Sequence, residues 1–485
     1  MQCPSCNQAV PINKVYCPFC GKRINADFNQ IAVSVHDDAA IRRGRRLEAF
    51  LKWLIAGVIM LGVVTYGFND LWNRPLLYDG VDLPALDAPT AVLGDSGVAL
   101  QKYIERQPLP LPTPPAPRVF GYRQAPLKDQ LREVHGGDKE TSAAVTKALR
   151  YLRSQQEKDG GFSAKTDNLR ILKERSQAQD YKWGRVGLTA MALLPFLAEG
   201  ETWNLSELGR RSDHGEVLFK GLTYLLNNQD ANTGCFGRTE GHFHFNHALA
   251  TLAVAEAAGV SGDSVLAEAT RRAVTLIENT QGAKGGWGYS DNIAMDQDTS
   301  VSSWMIQALV AARAAGLEGN PKVLEKALAY LNEITDPHTA NVVYGVPKNS
   351  KQLTPSYIPV VLMLRLHLGQ PAFEPIVRRL ALKTGANAPS SKAEWGKAWK
   401  ENAGEADKVR SQTFDPHRWY HGTYGMFFYG GKDWETWNKA LVKALLELQD
   451  DSGAWHGNDL WTVKVGAVYS TSLCVLSLQV YYRYH

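Results

Sequence analysis

Residues 273–309, AVTLIENTQGAKGGWGYSDNIAMDQDTSVSSWMIQAL, contain the unit from which most of the chain is built. An amphipathic segment ends at Gln281, a short polar turn leads into the sequence GGW, and a polar loop then enters an apolar segment that begins at Thr299. Glycine and polar residues between two periodic segments are typical of a turn between helices. The stretch therefore predicts an α-helix, a tight corner and a second, more apolar α-helix.

The same corner recurs along residues 141–485. A glutamine follows a helical pattern and precedes a glycine and an aromatic residue at Gln156, Gln229, Gln281 and Gln449, and a weaker copy has Thr335 instead. Gln229 and Gln281 lie 52 residues apart, Gln281 and Thr335 lie 54 apart, and Thr335 and Gln449 lie 114 apart. Because the last interval spans about two units, a degraded copy is expected near residues 373–383, which makes six copies of one supersecondary unit.

A second set of segments alternates with these amphipathic helices. They carry little charge, and several end in glycine, which is a common stop signal for a helix. Helices that are apolar over most of their surface are buried. An all-α fold in two concentric layers is therefore expected, with the buried set as an inner barrel and the amphipathic set as an outer ring. The inner segments begin at Val186, His247, Thr299, Tyr357, Trp419 and Val468.

The corner, Gln-x3-Gly-x-aromatic after a helix, resembles the QW repeat of squalene-hopene and oxidosqualene cyclases. The motifs GGWGY, DTSVSSWMIQAL and HALATLAVAEA, with the stretch from DWETWNKALVKALLELQDDSGAW to VYSTSLCVLSLQVYYRY, resemble the prenyltransferase/squalene-oxidase repeat proteins of planctomycetes. The resemblance covers residues 141–485. It implies an (α/α)6 toroid of six helical hairpins, the fold that protein prenyltransferases and complement-type thioester domains also have, and it implies architecture more than activity.

Asp296 and Asp298 are the candidates for catalysis. Cyclases of the squalene-hopene kind start their reaction with a DxDDTA motif, whose third position is a carboxylic acid of raised pKa that protonates an alkene. When Asp298-Thr299-Ser300 is aligned with the end of that motif, Gln297 falls at the acid position, and an amide has no proton to give. Asp298 is therefore expected to cap the helix that begins at Thr299. A divergent enzyme would use Asp296 or Asp298 as its acid.

Two other chemistries of this fold lack their motifs. The sequence has no Asp-x-Cys with a suitably placed histidine, the set with which protein prenyltransferases hold zinc, and no Cys-Gly-Glu-Gln run of a thioester domain.

Histidines and aromatic residues near the inner helices are the candidates for ligand binding. His242, His244 and His247 lie within six residues of one another, a spacing that permits metal ligation. No carboxylate or fourth ligand is evident nearby, so capping and aromatic packing at the barrel mouth are favoured. Aromatic rings that face a cavity stabilise cations, but the same rings also fill cores. The predicted ligand contacts are His247, Trp304, Trp419, Tyr424 and Tyr469.

The first twenty residues contain four of the six cysteines, in the pairs Cys3-x2-Cys6 and Cys17-x2-Cys20. Two such pairs complete a tetrahedral site of four thiolates, and a module this short depends on the metal for its folding energy. Residues 1–25 resemble the zinc ribbons at the N-termini of many bacterial membrane proteins, and a pair of disulfide-closed loops is the alternative. The prediction is a structural Zn²⁺ site.

Residues 49–68, AFLKWLIAGVIMLGVVTYGF, carry a single charge, Lys52. A helix of that length spans about 30 Å, the thickness of the hydrocarbon core of a bilayer, so one transmembrane helix is predicted. Residues 26–48 contain four arginines before the span, which places the N-terminus in the cytoplasm by the positive-inside rule. Residues 69–140 read as a proline-rich linker. The toroid is then expected outside the cytoplasmic membrane of a bacterium.

The net charge of +4 gives no electrostatic case for nucleic-acid binding. The favoured function is a membrane-anchored toroid that binds a lipid, an isoprenoid or a protein partner without cyclase chemistry, with the ribbon in contact with a cytoplasmic partner. One alternative is a divergent terpenoid cyclase or prenyltransferase-like enzyme that acts on polyprenyl substrates. The other is a structural module of a cell-envelope assembly.

Overall fold

The computed structural model describes residues 118–164, 184–204, 211–238, 242–291, 297–346, 354–391, 414–457 and 459–484. All of them belong to one compact unit, Ala88–His485. The predicted ribbon (1–25), basic segment (26–48) and transmembrane helix (49–68) lie outside the described residues. Within the described ranges, no helix combines the length and the apolar character needed to cross a bilayer.

Helices make up nearly all of the described secondary structure. In chain order they are α1 Arg118–Gly121, α2 Leu127–Val134, α3 Lys139–Gln155, α4 Arg185–Ala198, α5 Asp213–Asn227, α6 Phe243–Ser261, α7 Ser264–Asn279, α8 Thr299–Ala314, α9 Pro321–Glu333, α10 Ile358–His367, α11 Pro375–Gly385, α12 Pro416–Tyr429, α13 Gly431–Leu448, α14 Leu460–Val465, α15 Ala467–Leu478 and α16 Val480–Arg483. Two short strands, β1 Gln297–Asp298 and β2 Gly345–Val346, pair antiparallel, and a 3-10 turn, Pro355–Tyr357, precedes α10.

The helices form a closed ring that has an inner and an outer layer. Inner helices α4, α6, α8, α10, α12 and α15 pack in that order, and α15 packs against α4 to complete the circle. Each inner helix also packs against at least one outer helix, and α15 pairs with α3, the first outer helix of the chain. The expectation of an inner barrel within an outer ring is confirmed for the described residues.

Burial separates the two layers as the sequence pattern predicts. Almost every residue of α4 is buried, including Gly187, Thr189 and Pro195. Helix α7 buries one stripe instead, which includes Ala273 and Ile277. A stripe of this width is what a surface helix contributes to a core, whereas a helix buried all round must lie inside it.

The corners are fastened by their glutamines. Gln281 Nε2 donates to Gly285 O within the same turn (2.9 Å) and to Val323 O on the next outer helix, α9 (2.8 Å). Gly285 has a φ of +91°, and a Cβ there would lie 2.0 Å from Lys326 O, so this position requires glycine. The corner therefore joins one repeat to the next through a side chain and through a close backbone contact.

The last corner closes the ring in the same way. Gln449 Nε2 donates to Gly453 O (3.1 Å) and to Ala144 O on α3 (2.9 Å). The equivalent donations from the other corners reach the next outer helix at Val217 O from Gln156 and at Ala269 O from Gln229. Gln449 thus makes with α3, the first outer helix, the same contact that the other corner glutamines make with the next outer helix.

The weaker copy at Thr335 is fastened differently. Arg365, a buried residue of α10, donates to Leu331 O at the end of α9 (3.0 Å), and Lys383 of α11 donates to Asn341 Oδ1 (2.6 Å). Helix α11 lies where the degraded copy was expected, at residues 373–383. Two cations therefore make contacts across the corner at which the glutamine is missing.

Two helices, α1 and α2, lie at Arg118–Gly121 and Leu127–Val134, within the segment assigned to the linker. Phe120 is buried and fits against Gly259 of α6, where a Cβ would lie 2.2 Å from its ring. Helix α2 packs against α16. The folded domain therefore begins before residue 141.

Candidate functional site

One end of the ring contains a cavity of about 260 Å³. Its wall comes from the first turns of α4, α6 and α15 and from the short helix α14, and it is mostly apolar. The contributing side chains include Leu188, Met191, Leu249, Val465, Phe245, Trp461 and Tyr469. Small-molecule sites usually measure about 300–1,000 Å³, so this cavity is suited to one short apolar chain.

The aromatic part of the wall is packed on both sides. The rings of Phe245 and Trp461 are stacked, with centroids 6.2 Å apart and planes 15° apart. The ammonium group of Lys464 lies 5.6 Å from the centroid of Trp461, and the ring of Trp304 meets Phe245 edge-on at 6.4 Å. These contacts hold the two cavity rings in place.

Three polar side chains, His242, Asn246 and Tyr289, also line the cavity. His242 has left-handed backbone angles, φ 51° and ψ 40°, and its ring meets Tyr289 edge-on at 4.7 Å. A Cβ on Gly187 would lie 2.6 Å from Asn246 Oδ1, so the missing side chain at Gly187 makes room for the amide. An apolar cavity with a few convergent polar groups has the composition of a ligand site.

The hydroxyl of Tyr289 belongs to a chain of hydrogen bonds. It lies 3.2 Å from Ser300 Oγ and 2.9 Å from the hydroxyl of Tyr344. The Ser300 hydroxyl in turn donates to Asp298 Oδ1, which also accepts from the backbone N–H groups of Ser300 (2.7 Å) and Val301 (3.1 Å). A polar group of the cavity wall is thereby connected to a buried carboxylate.

Asp298 is the N-cap of α8, as the sequence predicts. It is 5% exposed, and burial raises the pKa of its carboxyl, whereas the hydrogen bond from Ser300 lowers it. Its Oδ1 is engaged by donors at the start of its own helix, and Asp298 is not among the described residues that line the cavity. The other candidate acid, Asp296, lies outside the described residues.

Aromatic side chains fill the ring behind the cavity. Trp304 of α8 stacks on Tyr420 of α12 at 5.9 Å, and His421 meets the same indole edge-on at 5.4 Å. The hydroxyl of Tyr420 donates to Gln307 Oε1 (3.0 Å). All four side chains are almost completely buried, so they act as packing between α8 and α12.

A buried ion network, which we call the plug, fills the ring near the ends of the inner helices. Glu256 of α6 lies 2.9 Å from Arg123 Nη1 and 2.6 Å from Arg483 Nη2, and all three side chains are fully buried. Arg483 also donates to the hydroxyls of Tyr420 and Tyr424, each at 3.2 Å. Burial raises the pKa of Glu256, but the charges of the two arginines bring it below its ordinary value. Predicted ligand contact Tyr424 therefore belongs to the plug.

His247 lies in a repeat corner. Its Nδ1 accepts from the backbone N–H of Phe236, the aromatic residue of that corner (3.1 Å), and its Nε2 lies 3.1 Å from Ala273 O. Burial lowers its pKa to about 3, so the ring is neutral near pH 7. The backbone N–H of the aromatic residue in other corners is accepted instead by Thr189, Ser302 and Thr471. His247 thus performs the structural task of a hydroxyl side chain.

The remaining predicted contacts are divided between wall and core. Tyr469 lines the cavity. Trp304 lies behind Phe245, and Trp419 is buried against Phe414, with ring centroids 4.8 Å apart. The described residues that sequence reasoning did not single out for the wall include Phe245, Asn246, Tyr289 and Trp461.

No three histidine, cysteine, aspartate or glutamate side chains within the described ranges are placed to hold a metal ion. In the histidine cluster, His244 Nδ1 lies 3.0 Å from Gly288 O and His247 is engaged as above. The predicted zinc ligands Cys3, Cys6, Cys17 and Cys20 lie outside the described residues.

Residues 138–376 match the sequence profile of the squalene-hopene cyclase C-terminal domain. The helical domain is a squalene-hopene cyclase-like toroid. A probable squalene–hopene cyclase of Sinorhizobium fredii (strain NBRC 101917 / NGR234) is 25% identical over 253 residues, which are 50% of this chain and 36% of that protein. The chain therefore covers little more than a third of the length of this relative.

Two solved structures match the chain at low sequence identity. An α-1,6-mannanase from Salegentibacter sp. HEL1_6 matches with 10% identity and a TM-score of 0.48, over 70% of this chain and 98% of that one. The type II terpene cyclase MstE from Scytonema matches with 14% identity and a TM-score of 0.42, over 70% of this chain and 98% of that one.

Proposed function

We propose that the cyclase-like toroid binds one apolar, isoprenoid- or lipid-like molecule in its cavity. The observation that carries the proposal is the cavity wall, in which Leu188, Met191 and Leu249 are joined by the stacked rings of Phe245 and Trp461. Transfer of an apolar chain from water to such a wall contributes roughly 25 cal/mol per Å² of buried surface. A water molecule in the cavity would form few hydrogen bonds, because few polar side chains line it.

The proposed role is binding without cyclase chemistry. A reaction that begins with protonation needs an acid within hydrogen-bonding reach of the substrate. Asp298 is used as a helix cap, and it is not among the described residues that line the cavity. The likeness to squalene-hopene cyclases supports a helical ring as the scaffold of the binding site. The proposal does not extend the reaction of those enzymes to this chain.

In the proposed arrangement the toroid stays near a membrane. The predicted helix 49–68 would anchor it, and the linker would hold it outside the cytoplasm. The predicted zinc ribbon, residues 1–25, would then be free to contact a cytoplasmic partner. An apolar ligand that partitions into the bilayer would be supplied to the toroid from the same membrane.

Binding is tested with the full-length chain, purified in detergent, and radiolabelled farnesol in equilibrium dialysis. Leu188→Trp fills the cavity and is expected to weaken binding at least about tenfold. Leu382→Trp is the matched control, since Leu382 is 68% exposed on α11, and it should leave the affinity unchanged. Equal affinities in both variants would contradict the proposal.

Catalysis is tested on the same preparation. Incubation with squalene or polyprenyl diphosphates, followed by mass spectrometry of the extracted lipids, is expected to return the substrate unchanged. A cyclised or transferred product that disappears in Asp298→Asn would establish the divergent enzyme in place of the binding protein.

A further inference from the structure

Tyr289 is shared by the cavity and by the hydrogen-bonded chain that ends on Asp298. Tyr289 lines the cavity, and its hydroxyl contacts Ser300 and Tyr344. The contacts at this hydroxyl determine which polar group a ligand can present to it. The choice follows from where each proton in the chain goes.

The protons of the chain run toward Asp298. The Ser300 hydroxyl donates to Asp298 Oδ1, so in its contacts with Tyr289 and Tyr344 the tyrosine hydroxyl is the donor. If Tyr289 donates to Ser300, Tyr344 donates to Tyr289; if Tyr289 donates to Tyr344, Tyr344 donates to Ser300 (3.3 Å) or to the carboxylate of Asp298. A phenol has one proton, and both arrangements use that of Tyr289 within the chain. Its oxygen retains a lone pair and can serve a ligand as a hydrogen-bond acceptor.

The negative charge of Asp298 also favours a neutral ligand group over an anionic one near Tyr289. Burial raises the pKa of Tyr289, and the negative charge of Asp298 raises it further. The pKa of Tyr344 is also raised by burial first, with Asp298 as a further cause. A carboxylate or phosphate beside Tyr289 would therefore meet both a missing donor and a like charge, which destabilises it in a partly buried site.

We infer that the cavity selects an apolar chain bearing a hydroxyl group, and that Tyr289 makes the selection by accepting the hydrogen bond of that hydroxyl. The inference rests on the proposed function and specifies its ligand as an alcohol. His242 is a positioning residue in this scheme, since its ring meets Tyr289 edge-on. Tyr289 belongs to a loop after a repeat corner, so its place on the wall is set by the same contacts that fix the ring.

Four probes with one chain and different ends test the inference. Farnesol should bind to the full-length protein more tightly than farnesyl methyl ether, farnesoic acid or farnesene, by about fivefold or more in each case, as expected for one net hydrogen bond. Equal affinity for farnesol and its methyl ether would overturn the inference and leave the proposed function intact. Failure of all four probes to bind would remove both.

Two variants locate the selection. Tyr289→Phe removes the hydroxyl alone and should lower the affinity for farnesol to that for the methyl ether, with farnesene unaffected. Asp298→Asn keeps a capping oxygen but removes the charge, and should raise the affinity for farnesoic acid several-fold.

The matched control is Tyr469→Phe, since Tyr469 is a second tyrosine of the wall outside this hydrogen-bonded chain. It should leave the ratio of affinities for farnesol and the methyl ether unchanged. If Tyr469→Phe abolishes that ratio and Tyr289→Phe does not, the assignment to Tyr289 is wrong.

Discussion

Replacement of Gln449 by leucine measures the closure of the ring. The change preserves most of the side-chain volume but removes the donations to Gly453 O and Ala144 O. Each intramolecular hydrogen bond contributes about 1 kcal/mol net, so the free energy of unfolding should fall by about 2 kcal/mol. The same substitution at Gln281 removes two donations of similar length, 2.9 and 2.8 Å, and should lower the free energy of unfolding by about the same amount.

The comparison between these two corners distinguishes a ring from an open array. In a ring, Gln449 and Gln281 each join two repeats in the interior of the structure. In an open array, Gln449 would join nothing across the gap, and its loss would only loosen one end.

The assay is urea denaturation of the full-length chain, followed by tryptophan fluorescence. Gln130→Leu, at an exposed position of α2, is the control for the substitution itself and should leave the free energy within about 0.5 kcal/mol of the parent. A cost at Gln449 no larger than that at Gln130, beside a full cost at Gln281, would refute the closed ring.

Further predictions concern single residues. His242→Gly should change the free energy of unfolding by less than about 1 kcal/mol in the same denaturation assay. Relief of the left-handed conformation gains about 1–2 kcal/mol, but the entropy of glycine in the unfolded chain costs about 0.4–1 kcal/mol and the lost edge-on contact with Tyr289 costs about 0.5–1.5 kcal/mol. Burial and then the charge of a neighbouring aspartate raise the pKa of Asp459 from 3.8 to about 7. Between these values the folded state binds the proton more tightly, so stability should decline as pH rises through this window, and Asp459→Asn should remove that decline in denaturation series across pH. Glu256→Ala leaves two buried arginines unpaired and should cost about 3–5 kcal/mol, whereas a loss below about 1 kcal/mol would mean that the plug is open to water. Elemental analysis should find one zinc per chain, and Cys17→Ser or Cys20→Ser should abolish it; retention of zinc would exclude the ribbon site.

The repeat made the ring predictable. Each corner uses residues that are close in sequence, a glutamine, a glycine and an aromatic residue, so the pattern is visible in one dimension. The corner glycine is recognisable in the sequence because only glycine fits there: Gly285 has a positive φ and lies against the backbone of the next repeat. The fifth outer helix, α11, was located from the interval between Thr335 and Gln449 alone.

His247 shows how a residue type can mislead. Histidine suggests a functional role, but His247 accepts a backbone N–H of its corner, as Thr189, Ser302 and Thr471 do in other corners. The segment boundaries expected from the sequence place His247 at the first position of its inner segment and the three hydroxyl residues at the fourth. The shared role therefore became visible only in the hydrogen bonds of the folded chain.

The cavity was harder to predict, because its wall joins residues that the repeat does not relate. Trp461 lies on the short helix α14, which has no counterpart in the pattern, and Asn246 reaches the wall only because Gly187 leaves space. The plug poses the same difficulty, since Arg123 comes from a segment that reads as linker. Contacts between distant and irregular segments leave no period to detect.

The contacts of Gln449 with α3 and of Arg483 with Glu256 bear on the synthesis of the protein. Helices α3 and α4 leave the ribosome hundreds of residues before Gln449 and α15, with which they are in contact in the closed ring, have been synthesised. Until Ala467–Leu478 has been released from the ribosome, the apolar surfaces of α4 and α15 cannot cover each other. The nascent chain therefore exposes apolar surface on its first inner helix during most of its translation. We expect chaperones to be required until the last inner helix covers that surface.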